Sequence, residues 1–141
     1  EAADGFSALK ALLPPPPRRA LVLIDPAYEE KRDYERVVLA LKDSLARFPS
    51  GTYLLWYPRL TRLEAHELPQ RLKRLPAKSW LHVTLQVRKP VADGFGMHGS
   101  GLFVINPAWT LLATLQEVMP FLVQALGVDE GAGFSLESQE P

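Results

Sequence analysis

One short segment of the chain combines residue types that could bind and activate an amine. The apolar run Leu21-Val22-Leu23-Ile24 is typical of a buried strand, and Asp25-Pro26-Ala27-Tyr28 follows it directly. Residues just past the carboxyl end of a strand line the ligand crevice of an open α/β sheet. Asp25 offers a carboxylate acceptor, Pro26 offers a carbonyl on a backbone of fixed φ, and Tyr28 offers a flat ring. Two acceptors beside a ring suit a planar group with an amino N–H pair, and adenine is such a group.

A second segment, Asn106-Pro107-Ala108-Trp109, repeats this pattern after a later apolar run. Its place near the end of the predicted sheet favours a simpler interpretation, in which Asn106 caps a helix that Pro107 begins and Trp109 joins the core. The corresponding interpretation of Asp25, as the capping residue of a strand-to-helix turn, stays open from four residues alone.

Hydrophobic periodicity and turn residues predict the elements that must position these side chains. Asp4 can cap a short first helix, which Pro14–Pro17 end. The spacing of Thr61 and Glu64 is that of a capping box and predicts the start of a third helix, which Pro69 is expected to interrupt. The predicted order is helix 4–13, strand 21–25, helix 33–48, strand 52–57, helix from 61, strand 80–88, strand 102–105, and a helix from 106 with a break or kink at Pro120.

Strands that alternate with helices predict a mostly parallel sheet with helices on its faces. The last two strands are joined by a glycine-rich connector, 94–101, and are expected to pair as an antiparallel hairpin. This order predicts the second half of a Rossmann-like α/β sheet, and its open edge suggests that an N-terminal half is missing. We therefore expect residues 1–127 to form the C-terminal part of a larger domain and residues 128–141 to form an acidic, flexible tail.

Composition limits the classes of protein to which the chain can belong. Its 141 residues include sixteen basic and sixteen acidic side chains and no cysteine. This excludes disulfides and argues against binding nucleic acid by bulk charge. Basic residues are concentrated between Arg59 and Pro90, where they could contact phosphates. The histidines lack the spacing of metal ligands, so no metal site is predicted, and no apolar run reaches the roughly 20 residues of a membrane helix.

Several segments, in the same order along the chain, match one known family. They are Asp4-Gly5-Phe6, 9–15, 21–26, 48–53, 55–58, 99–101 and 104–111. On these segments the chain resembles the bacterial RlmJ-type family of 23S ribosomal RNA adenine-N6 methyltransferases. That family belongs to the class I methyltransferases that use S-adenosylmethionine. The resemblance implies a class I methyltransferase sheet, of which this chain would be the C-terminal half with a terminal antiparallel hairpin.

The resemblance also implies roles for individual residues. Asp25 would be the catalytic carboxylate and would lie close to the cofactor, S-adenosylmethionine. Asp4 and Gly5 would belong to the loop that contacts the adenosine of that cofactor. Ala27 stands where the family has a second proline, but the acceptor carbonyl belongs to Pro26, so the chemistry is expected to remain. We expect the Tyr28 ring to stack on the target base and its hydroxyl to be dispensable.

The implied partner is 23S ribosomal RNA, with a cytoplasmic location and a monomeric complete protein. The family's glycine-containing cofactor loop and acidic ribose ligand are expected upstream of this chain, so the chain alone should be inactive. Two other functions stay open. Four apolar residues followed by an aspartate also describe the magnesium-binding strand of a P-loop ATPase, although no G-x-x-x-x-G-K-[ST] occurs here. A non-catalytic RNA-binding fragment is the remaining alternative.

Overall fold

The computed structural model describes residues 4–92, 94 and 96–141, so the connector residues Asp93 and Phe95 lie outside the described part. The described chain forms these elements: α1 Gly5–Leu12, β1 Leu21–Ile24, α2 Lys31–Arg47, β2 Thr52–Arg59, α3 Leu63–Leu72, β3 Trp80–Gln86, β4 Gly99–Ile105, α4 Leu111–Leu126 and β5 Gly133–Gln139. Within these ranges, no helix is both long enough and apolar enough to cross a bilayer, and no group of three potential metal ligands is found.

The five strands form one mixed sheet in the order β1-β2-β4-β3-β5. β1 runs parallel to β2, and the other pairings in the described chain are antiparallel. The predicted β3–β4 hairpin is confirmed, but the sheet is not mostly parallel because the hairpin places β4 between β2 and β3. β1 and β2 end on the same side of the sheet, at Ile24 and Arg59, and we call this side the carboxyl end.

Each face of the sheet carries its own apolar core. Along β2, Tyr53, Leu55 and Tyr57 face a core that also receives side chains from α1, α2 and α3. Leu54 faces the opposite core, which α4 covers. Helices on both faces explain why the strands are rich in apolar residues at consecutive positions rather than alternating with polar ones.

β1 is the outermost strand on one side and is only partly covered. Within the described chain it pairs only with β2, and Leu21 and Leu23 expose 69% and 64% of their surface. A strand edge with such side chains is normally paired or covered in a native protein. The predicted open edge is therefore present, and it lies next to the segment that carries Asp25.

α3 begins and continues differently from the prediction. Arg62 occupies the N-cap without a capping hydrogen bond from its side chain, and the Thr61 hydroxyl donates instead to the carbonyl of Gly94 at 2.9 Å. The capping-box prediction is wrong because α3 begins one residue later than it would with Thr61 as its N-cap. α3 continues through Pro69 to its last turn, where Leu72, 1% exposed, packs in the core.

The turn after β4 also differs from the prediction. Asn106 has a left-handed backbone, with φ 52°, and its amide donates to the carbonyls of Pro49 at 2.9 Å and Gly51 at 2.8 Å. Asn106 therefore ties the loop before β2 to the end of β4, and the prediction that it caps a helix is wrong. Because α4 starts later, Trp109 is 93% exposed rather than in the core. α4 then runs through Pro120 without ending there.

The segment expected to be a flexible tail forms strand β5 instead. β5 pairs with β3 in antiparallel register along its whole length. Leu136 packs against the core under α4, and Glu137 forms a 2.7 Å ion pair with Lys73 of α3. The prediction of disorder is wrong because composition takes no account of the free edge of β3, whose N–H and C=O groups pair with any chain of suitable register.

Candidate active site

Two segments that are distant in sequence meet in one cavity at the carboxyl end of β1. This cavity has a volume of about 410 Å³ and is lined by Asp4, Gly5, Phe6, Leu9, Leu23, Ile24, Asp25 and Pro26. The structure therefore brings together four of the five predicted site residues, two at the start of α1 and two after β1. The fifth, Tyr28, does not line the cavity.

Asp25 and Pro26 present two uncommitted acceptors to this cavity. Asp25 follows the last residue of β1 and is exposed, and it forms no ion pair with another described residue. No backbone donor in the described chain contacts the carbonyl of Pro26. Proline has no N–H, so the backbone of Pro26 can accept hydrogen bonds but cannot donate one.

Asp4 is the N-cap of α1, and its carboxylate is already in use. One oxygen accepts hydrogen bonds from the N–H and the hydroxyl of Ser7 at 2.9 and 2.7 Å, and the other accepts from Arg36 at 3.3 Å. These bonds, led by the one from the Ser7 hydroxyl, hold the pKa of Asp4 below its usual value. The N–H groups of Gly5 and Phe6, in the first turn of α1, lack intrahelical acceptors and can donate to a ligand.

Tyr28 is buried, contrary to the expectation that its ring stacks on a base. It is 2% exposed, its hydroxyl donates to the carbonyl of Trp56 at 2.9 Å, and its ring centroid lies 4.9 Å from that of Tyr34. Burial raises the pKa of Tyr28 above its usual value. Arg62 donates to the Tyr28 carbonyl at 3.2 Å. In this structure Tyr28 therefore anchors the turn that carries Asp25-Pro26 and exposes no face for stacking.

The backbone of Tyr28 is strained in a way that fits this anchoring role. Its φ of 54° is left-handed, a conformation that a bulky residue adopts only when its surroundings impose it. Such strain is frequent at functional sites, where it directs neighbouring groups. The turn thus stores local strain while the ring and hydroxyl of Tyr28 hold it in place.

Sequence reasoning missed the apolar walls of the cavity and the role of Arg62. The sequence places Phe6 and Leu9 in the predicted first helix and Leu23 in a buried strand, without indicating that they line a cavity. The edge position of β1 leaves Leu23 exposed, and this could have been read from the predicted open edge. No sequence signal points to Arg62, because its contact depends on where α3 begins.

The lining of the cavity fits the adenosine side of S-adenosylmethionine. Apolar side chains such as Phe6, Leu9 and Leu23 suit a purine ring. The Asp25 carboxylate lowers the energy of a nearby positive charge, such as a sulfonium. The donors at the start of α1 suit ring nitrogens, which are acceptors. The residues of this cavity can therefore hold one side of the cofactor.

A mixed α/β sheet with a carboxylate–proline turn beside such a cavity is consistent with a methyltransferase-like fold. The family model described as ribosomal RNA large subunit methyltransferase D, RlmJ, matches residues 1–137. The chain therefore belongs to the RlmJ family of ribosomal RNA large subunit methyltransferases. This confirms the family that the sequence segments indicated.

Individual relatives agree with this assignment. Ribosomal RNA large subunit methyltransferase J of Haemophilus influenzae is 45% identical over 130 residues, which are 92% of this chain and 46% of that protein. The protein of the same description from Escherichia coli K12 is 42% identical over 138 residues, 98% of this chain and 49% of the relative. A crystal structure of a Legionella pneumophila protein superposes with a TM-score of 0.84 at 31% identity, covering 98% and 49% of the two chains. The chain thus spans about half the length of the relatives it matches.

Proposed function

We propose that this chain forms the target-amine side of an active site that transfers a methyl group from S-adenosylmethionine to N6 of an adenine in 23S ribosomal RNA. The observation that carries the proposal is the cavity shared by Asp4-Gly5 and Asp25-Pro26 at the carboxyl end of β1. Membership of the RlmJ family supports the reaction class and the ribosomal substrate. The complete protein would work as a monomer in the cytoplasm, where ribosomes are found.

The two acceptors address the poor reactivity of the adenine amine, whose lone pair is delocalised into the ring. The Asp25 carboxylate and the Pro26 carbonyl each accept one N–H of the amine. This favours a pyramidal nitrogen whose lone pair points away from both acceptors. S-adenosylmethionine, when bound, supplies an electrophilic methyl carbon on a positively charged sulfur. Holding the nitrogen in line with that carbon is a large part of the catalysis.

Asp25 also stabilises the positive charge that develops on the amine nitrogen and can accept the proton that this nitrogen releases. As the N–C bond forms and the C–S bond breaks, positive charge passes to the nitrogen, where the neighbouring carboxylate stabilises it. The nitrogen then releases a proton to Asp25 or to water, which reaches this exposed side chain. The cavity is lined by two carboxylates, those of Asp4 and Asp25. The Asp4 carboxylate is bound by Ser7 and Arg36, so Asp25 is the one available for this role.

The start of α1 has a positioning role in this proposal. Asp4 caps α1 and so fixes the first-turn N–H groups of Gly5 and Phe6, which donate to the adenosine of the cofactor. Leu9 and Leu23 cover the apolar face of its ring. Because the Tyr28 ring is buried, the flipped or unpaired base must stack on a group other than Tyr28.

Ligand binding and methyl transfer by the full native protein test the proposal. Calorimetry should show binding of S-adenosylmethionine and of its demethylated product, and mass spectrometry should show N6-methyladenosine in a 23S ribosomal RNA transcript. Binding of ATP-magnesium without either methyl-cycle ligand would contradict the proposal and favour the ATPase alternative. RNA binding without any of these ligands would contradict it in favour of a non-catalytic RNA-binding protein.

A further inference from the structure

We propose that a second cavity, between α3 and strands β2, β3 and β5, binds a phosphate group of the RNA substrate. The proposal rests on the proposed function, because it assigns a further contact to the same RNA. This cavity has a volume of about 210 Å³ and is separate from the one at Asp25. The polar lining residues that matter here are Tyr57, Arg59, His66, Lys73, His82 and Glu137.

The register of the sheet places this cavity at the same end as Asp25. Ile24 at the end of β1 lies opposite Leu55, and Tyr57 and Arg59 lie further along β2 in the same direction. Adjacent strands are about 4.8 Å apart, so the strands that line the cavity lie roughly 5 to 20 Å from β1 across the sheet. An RNA strand that delivers an adenine to Asp25 therefore carries neighbouring phosphates within reach of this cavity.

The charges of the cavity favour a singly charged anion. Lys73 and Glu137 neutralise each other in a 2.7 Å ion pair. Arg59 forms no ion pair with any residue that the structure describes. With the histidines neutral, the cavity carries one excess positive charge, which is the complement of one phosphodiester. The planar guanidinium can also donate two parallel hydrogen bonds to phosphate oxygens.

A buried histidine whose ring nitrogen lacks a partner is a second, independent observation that points to a ligand in this cavity. His82 is 4% exposed, and its Nε2 lies 2.7 Å from the Tyr57 hydroxyl. Its Nδ1 has no hydrogen-bond partner in the described chain and lies 3.6 Å from the nearer Glu137 oxygen. Buried polar atoms are normally satisfied. A phosphate that draws Lys73 away from Glu137 would leave that carboxylate free to close on Nδ1 of His82.

The test compares Arg59→Gln with Arg74→Gln, which removes an exposed cation outside the cavity lining. The affinity of the full native protein for a fluorescently labelled fragment of 23S ribosomal RNA is measured by anisotropy at several salt concentrations. Loss of one phosphate contact should reduce the slope of log affinity against log salt by about 0.7. This corresponds to roughly fivefold weaker binding near 0.1 M salt. Arg74→Gln should match the wild type.

Equal slopes for Arg59→Gln, Arg74→Gln and the wild type would overturn the proposal. Lys73→Gln is the second variant and should also reduce the slope. It tests the proposal independently if Arg59→Gln fails to fold. Calorimetry should show unchanged affinity of Arg59→Gln for S-adenosylmethionine. Since RNA binding is measured without methyl transfer, a failure of the methyl-transfer proposal would be visible separately, as wild-type protein that binds RNA with a normal slope but does not modify it.

Discussion

The hydroxyl of Tyr28 donates a 2.9 Å hydrogen bond to the carbonyl of Trp56, and this contact fastens the turn after β1 to strand β2. Arg62 holds the same turn by donating a hydrogen bond to the carbonyl of Tyr28. The exposed Asp25 carboxylate and the half-buried Pro26 are therefore carried by a turn whose next aromatic residue, Tyr28, is buried in the core. Supporting contacts of this kind keep a reactive group in one geometry, and this explains how an exposed carboxylate can be well positioned.

Tyr28→Phe should destabilise the protein and lower its activity, which differs from the expectation that the hydroxyl is dispensable. Removal of the hydroxyl leaves the Trp56 carbonyl without its donor, at a cost of about 1–2 kcal/mol. The looser turn should reduce kcat for methyl transfer. Urea denaturation and steady-state kinetics on the full native protein measure the two effects.

Tyr53→Phe is the matched control for this variant. The Tyr53 hydroxyl is also buried and donates to the carbonyls of Phe48 and Ser44, but Tyr53 does not line the cavity at Asp25. It should cost a similar stability and leave kcat unchanged. If Tyr28→Phe and Tyr53→Phe reduce kcat equally, Tyr28 has no positioning role at the site.

Removal of β5 should strongly destabilise the sheet. A chain ending at Gly127 loses the β3–β5 pairing and the ion pair of Glu137 with Lys73. We expect a loss on the order of 3 kcal/mol, because several backbone hydrogen bonds of about 1 kcal/mol each disappear. A chain ending at Gln139, which keeps β5, is the control and should be as stable as the wild type. Equal melting temperatures for the two truncated proteins would show that 128–141 is a flexible tail after all.

The stability of the protein should fall as the pH drops through the range in which histidine is protonated. Burial, the main cause, lowers the pKa of His82 below its usual 6.5, and burial also lowers the pKa of His98. The unfolded chain therefore binds protons near pH 6.5 that the folded chain does not bind. The stabilisation is fully present above that pH and is lost as the pH falls toward the lower pKa values of the folded state.

Denaturation curves between about pH 5 and pH 8 measure this dependence. His82→Gln should flatten the curve, because it removes a group whose pKa is lowered by burial in the folded chain. Glu137 adds a further dependence at lower pH. The hydrogen bond from Lys73 lowers the pKa of Glu137 below its usual 4.5, so the stabilisation that this pair gives is lost as the pH falls below that value. An unaltered pH dependence in His82→Gln would contradict the assignment.

Much of the fold follows from local patterns in the sequence. The apolar period of α2 and the cap of α1 by Asp4 depend on neighbours within a few residues, and these elements were predicted close to their observed bounds. β5 could not be predicted in this way, because its stability comes from the distant edge of β3. The role of Asn106 also depends on distant contacts, since its partners Pro49 and Gly51 lie in another loop.

The residues of the candidate site could be predicted from the sequence, but the contacts that hold them in place could not. The acceptor pair Asp25-Pro26 is visible in four residues, and the resemblance to the RlmJ family added Asp4 and Gly5, which line the same cavity. The burial of Tyr28 was not predictable, because a tyrosine after a strand can turn toward the solvent or the core with equal ease. Its left-handed backbone and its bond to Trp56 decide the direction.

Methyl transfer by Asp25→Ala, compared with Asp43→Ala, tests the central claim most directly. Asp25 is exposed and Asp43 forms a surface pair with Arg47, so both variants should fold. The kcat values are compared at saturating S-adenosylmethionine, because Asp25 also lines the cavity proposed for the cofactor. We predict that Asp25→Ala lowers kcat by about 1,000-fold or more, as expected when stabilisation of developing charge is removed, and that Asp43→Ala keeps the wild-type rate. A kcat for Asp25→Ala equal to that of Asp43→Ala would contradict the assignment of Asp25 as the carboxylate that binds the target amine.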